Sequence, residues 1–99
     1  IKHAPNRREG YYGLSKFYYD RQRWMPCVSF GEAACAIPHS KEIEKFATNM
    51  NVYTWMPHDL LAIAYWNIGQ KQKGHWHLEQ AIMHRPNDPR LLQNRQWFL

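Results

Sequence analysis

Six histidines are the first residues of this 99-residue chain that invite chemistry, and two of them flank a tryptophan in His75-Trp76-His77. On a helix, side chains two residues apart diverge by about 200°, whereas helical metal-binding pairs stand three or four apart. His77 and His84 share a face but lie about 10 Å apart along the axis. The histidines are therefore expected on the surface, without a metal. Cys27 and Cys35 lie on one expected helix about 12 Å apart, too far for a disulfide. They are expected as buried reduced thiols, in keeping with a reducing compartment. Ser15, Ser29 and Ser40 fall in helix or cap contexts, and Cys27 occupies a core position rather than an electropositive helix start. The five glycines are isolated and cradle no phosphate. The expectation is a non-enzymatic chain with no cofactor and no metal.

The formal net charge of +5 admits an acidic partner without requiring one. Arg7, Arg8, Arg21, Arg23, Lys71, Lys73, Arg85, Arg90 and Arg95 read most simply as a solvated surface. The turns of two helical hairpins would place Arg21, Arg23, Lys71 and Lys73 on one edge near Trp24 and Trp76, where phosphates could bind. The sequence holds no base-reading or single-strand motif, and both tryptophans are expected in the core. Nucleic acid therefore ranks behind a protein partner.

These side chains must be positioned by helices. Aromatics make up 15% of the chain, the dense apolar content that a small core needs. No apolar run approaches the roughly 18 residues of a membrane span, and no charged region precedes an apolar stretch at the start. A cytoplasmic setting is expected. The periodicity predicts helices over 8–20, 24–36, 57–68, 72–84 and 89–98, and no segment alternates as a strand does.

The helices repeat. Leu61, Ala62, Tyr65 and Gly69, followed by Leu78, Ala81, Ile82 and Pro86, spell helix, turn, helix, stop. Tyr11, Leu14, Ser15 and Tyr18, Gln22 at the turn, then Cys27, Ala34, Ile37 and Pro38 keep the same register. Tyr18 and Tyr65 are equivalent but stand 47 residues apart, so an insertion separates the repeats. It covers 39–54, with a short helix capped by Ser40 and a loop from Thr48 to Tyr53. Asp88 before Pro89 opens the last helix, and residues 1–6 resemble the tail of a preceding repeat. The division expected is a repeat over 8–38, the insertion, a repeat over 55–88 and a capping helix over 89–99, within an excised fragment of a larger protein.

At these residues the chain resembles the tetratricopeptide repeat family. The second repeat departs from its pattern at His58 and Gly74, and the first at Cys27 and Gly31, where Phe30 is expected to fill the gap. A narrower resemblance rests on Ala4-Pro5-Asn6-Arg7-Arg8-Glu9, the Tyr18-Tyr19 pair, Trp24, Trp55 and Pro57-His58-Asp59-Leu60. It is to the helical repeat region that follows the catalytic domain in some bacterial family 2 glycosyltransferases. The Asp-x-Asp metal motif is missing from this chain, so any such activity would belong to a parent protein.

The resemblance implies an all-α, α-α solenoid whose first helices line a groove. The implied groove residues are Tyr12, Lys16, Tyr19, Asp20, Asp59, Ile63, Trp66 and Asn67. They could meet a protein or peptide, or the catalytic domain of the same parent chain; alternatively Tyr19 and Trp66 pack on the insertion. Tyr12 and Ile63 depart from the family's clamp for terminal carboxylates. Because about three stacked repeats are needed for stability, a homo-oligomer is also expected as an option.

Overall fold

The structure is a computed structural model that describes residues 7–37 and 50–98. Helix α1 (Arg7–Asp20) is followed by α2 (Trp24–Cys35), a 3-10 turn (Met50–Tyr53), α3 (Met56–Asn67), α4 (Lys71–His84), α5 (Pro89–Asn94) and a closing 3-10 turn (Arg95–Phe98). Each expected boundary falls within a residue of the observed one except the last. There the α-helix stops at Asn94 and tightens into the 3-10 turn. The expected short helix capped by Ser40 and the tail over 1–6 lie outside the described residues. Part of the expected loop from Thr48 to Tyr53 is instead the first 3-10 turn.

Two hairpins carry the architecture: α1 packs on α2, α3 on α4, and α2 on α3 joins them. Their turns are made alike. Gln22 (φ 58°) and Gly69 (φ 80°) both adopt the left-handed conformation, and the amides of Arg23 and Gln70 reach back to the carbonyls of Tyr18 and Tyr65. Glycine enters that region without strain and Gln22 does not, so the first turn depends more on tertiary packing. Pro26 and Pro57 sit in first helical turns, where the missing amide proton costs nothing. The Asp88 carboxylate accepts from the amides of Arg90 and Leu91, capping α5 above Pro89.

Small residues set the helix spacing. A Cβ added at Gly31 would lie 2.6 Å from Leu61 Cδ2, so the gap at Gly31 is closed by Leu61 of the neighbouring hairpin. Phe30, expected there, stacks on Tyr18 and Tyr11 instead. Ser15 is fully buried between α1 and α2, and its hydroxyl donates to the Cys27 carbonyl at 2.7 Å. Ala62, Leu78, Ala81, Ile82 and Leu91 form one apolar cluster, flanked by Trp55 and Phe98. Cys27, Leu60 and Ala64 form a second, with Tyr12, Tyr18, Tyr19, Trp24 and Val28 around it.

Leu14, in the register of the wholly buried Leu61, is 43% exposed. Three expectations about burial are corrected. Trp76 is 56% exposed rather than core. Arg8 is buried rather than solvated, its guanidinium donating to the carbonyls of Val52 and Ile37 at 2.9 Å each. Both cysteines are free, but Cys35 is only partly buried.

Candidate partner-binding face

The eight groove residues lie on α1 and α3, and the structure arranges them in two groups. Tyr12, Tyr19 and Asp59 stand close enough for the carboxylate to act on both phenols. The Tyr12 phenol is pushed up to about 12, first by burial and then by Asp59 and Asp20. Burial and Asp59 raise Tyr19 as well. Lys16 and Asp20 pair with each other one turn apart, at 2.5 Å, and the Lys16 ammonium stands 5.7 Å from the centre of the Tyr19 ring. The Tyr19 ring meets Trp24 edge to face. Asp59 holds Arg90 at 2.7 Å through one oxygen, while the other is buried without a hydrogen-bond partner.

Ile63, Trp66 and Asn67 form the second group. With Ala62, Asn94, Trp97 and Phe98 they line a hollow of about 270 Å³. Trp66 is 40% exposed and Trp97 63%. The two rings meet edge to face with centres 5.8 Å apart, and the Trp66 indole donates to the Trp97 carbonyl at 3.4 Å. The Asn67 amide donates to the Ile63 carbonyl at 2.8 Å, which leaves its own carbonyl oxygen to act as an acceptor. Trp66 and Tyr19 thus find ring partners in α5's extension and in their own hairpin.

Sequence reasoning missed Arg90, Asn94 and Trp97, because the last helix was given only a covering role. The signal was present: Ile63 carried forward by one 34-residue period falls on Trp97, and Met56 on Arg90.

A second polar cluster lies where the hairpins meet, and it corrects the expectation of surface histidines. His77 is buried and His58 half-buried. Their Nδ1 atoms are 2.9 Å apart. His77 Nε2 lies 3.2 Å from Glu32 Oε2, which also accepts the Tyr65 hydroxyl. The His77 ring stacks on Tyr65 with centres 5.5 Å apart. Burial, then the fields of His77, Arg8 and His84, lower His58 to about 4; burial lowers His77 against the opposing pull of Glu32. Among the described residues no group of three or more His, Cys, Asp or Glu is placed to hold a metal ion.

Of the basic edge, Arg21 lies over Phe17 at 3.6 Å and donates to the Phe17 carbonyl, and Lys73 stands 5.7 Å over Tyr65. Arg23 and Lys71 are exposed. No helix of the described residues is long and apolar enough to cross a membrane. Compared with known proteins, the chain matches no family model, no curated protein and no solved structure.

Proposed function

We propose that this chain is a non-catalytic interaction module built as a tetratricopeptide-like solenoid. Its α1, α3 and α5 face takes an extended peptide that presents an apolar side chain. The observation that carries this reading is the hollow between Trp66 and Trp97. Two large rings are left partly in water beside an apolar floor of Ala62, Ile63 and Phe98. Rigid aromatic walls give contact area at small entropic cost. The Asn67 carbonyl oxygen and the partly buried Asn94 side chain suit a peptide main chain running past. The two hairpins in one register support the solenoid reading. The segment received belongs either to a separate protein or to a catalytic domain of the same parent chain.

A random-peptide phage library panned against the native chain and against a Trp66→Ala/Trp97→Ala variant tests this. Both rings are exposed enough for the variant to keep its helical circular dichroism. Enrichment of peptides sharing one apolar residue is expected, with affinity weakened about tenfold or more in the variant. Peptides that bind both proteins equally, or no enrichment at all, would overturn the proposal.

A further inference from the structure

The hydrogen-bonded chain from Glu32 through His77 to His58 lies away from the Trp66–Trp97 hollow and does not depend on that reading. It is drawn from three helices: Glu32 from α2, His58 and Tyr65 from α3, and His77 from α4. Glu32 reaches Tyr65 and His77 across the joint between the hairpins, and His77 reaches His58 within the α3–α4 hairpin. We propose that Glu32, His77 and His58 form a proton-sensitive latch: Glu32 anchors His77 from α2, and the His77–His58 contact that it orients holds α3 against α4 and loosens as the pH falls.

The tautomers follow from the partners. An ionised Glu32 only accepts, so His77 donates to it from Nε2 and keeps the Nδ1 lone pair. His58 then donates its Nδ1 proton into that lone pair. One added proton is accommodated on His58 Nε2 with both contacts intact, but at the cost of a desolvated charge. A second proton, on His77 Nδ1, would set two N–H groups against each other across 2.9 Å, and the rings would have to part.

The groups facing the pair make protonation harder. Arg8 from α1 and His84 from α4 add positive field at His58. Glu32 is the carboxylate that opposes them. Cys35 from α2 stays protonated, its thiol raised to about 11 by burial, and Tyr65 is held neutral by burial and by its bond to Glu32. A histidine whose folded value is lowered contributes stability that is whole above the unfolded value of about 6.5. The unfolded chain takes up protons first, so stability falls as pH drops from there toward the folded value of about 4.

Nitrogen-15 NMR of the imidazole rings across this range reads the latch directly in the native chain. His58 is expected to remain neutral at about pH 5.5, where free imidazole is mostly charged, and His77 to titrate below free imidazole. Thermal unfolding of native chain and His58→Asn, which keeps a donor to His77 Nδ1 but cannot titrate, gives the second measurement. The native Tm should fall by roughly 5–10 °C between about pH 7.5 and 5, and the fall should be at least halved in the variant. Amide exchange of α3 and α4, corrected for its intrinsic pH dependence, should quicken in the native chain over the same interval. Rings that titrate near 6.5, an equal Tm loss in His58→Asn, or unchanged exchange would each overturn the latch. The NMR titration decides the matter if the variant does not fold.

Discussion

At the scale of single residues, glycines show how one methyl group can have opposite effects in the same fold. A Cβ at Gly74 would stand 2.8 Å from both the Ala62 carbonyl oxygen and Phe98 Cε1. Backbone cannot turn aside as a flexible side chain can, so Gly74→Ala must push α4 from α3. A cost of about 1–3 kcal/mol is expected, as for other overpacked sites. Gly10 lies exposed inside α1 with nothing within 4 Å of an added Cβ. Gly10→Ala should stabilise by about 0.5–1 kcal/mol, because alanine loses less backbone entropy in a helix. Urea unfolding of the two variants checks both signs; a neutral or stabilising Gly74→Ala would show that the hairpin contact is loose. The departures at Gly31 and Gly74 could be noticed in the sequence, but not what they approach. Leu61 and the Ala62 carbonyl come from another helix, which local spacing does not describe.

Elements were legible where a period or a cap announces them. The alternation of small and large residues around Tyr65 and Gly69 placed α3 and α4 to within a residue, and Asp88-Pro89 placed the start of α5. The polar chain at the joint was not legible. Glu32, His58 and His77 meet because two hairpins pack at a given angle, and their separations in sequence match no helical repeat. Nor was the part that Asn94 and Trp97 take in lining the hollow, because it depends on how the chain's end packs back on α3. Helix α5 also gives the next prediction. Leu91 is wholly buried among Ala62, Leu78, Ala81 and Ile82, so Leu91→Ala should cost about 2–4 kcal/mol. Asp88→Ala removes a cap worth about 1 kcal/mol. Arg95 grips Glu79 with two hydrogen bonds of 2.9 Å, yet in water such a pair adds little, and Arg95→Ala should move the midpoint least. The order Leu91, Asp88, Arg95 in urea midpoints would show that burial docks α5; Arg95 ranking first would show that the ion pair does.

For the whole molecule, stability is bounded in pH from both sides, and the alkaline bound is set by different residues from the acid one. Tyr12, Tyr19 and Tyr65 are all raised, each chiefly by burial, and all three feel a neighbouring carboxylate. Cys27 and Cys35 are raised by burial too. For an acid with a raised folded value, the unfolded chain releases its proton first. Stability is therefore whole below the unfolded values, about 8.5 for cysteine and 10 for tyrosine, and falls as pH rises through them toward the folded ones. Phenolate absorbance followed alongside far-ultraviolet circular dichroism should show a late, steep step of tyrosine ionisation that coincides with loss of helix. Tyr12→Phe keeps the ring packing and removes one ionising group, so it should move that step to higher pH. A gradual ionisation of these phenols near pH 10 with the helices intact would mean that they are reached by water without unfolding, and that the α1–α3 contact is open.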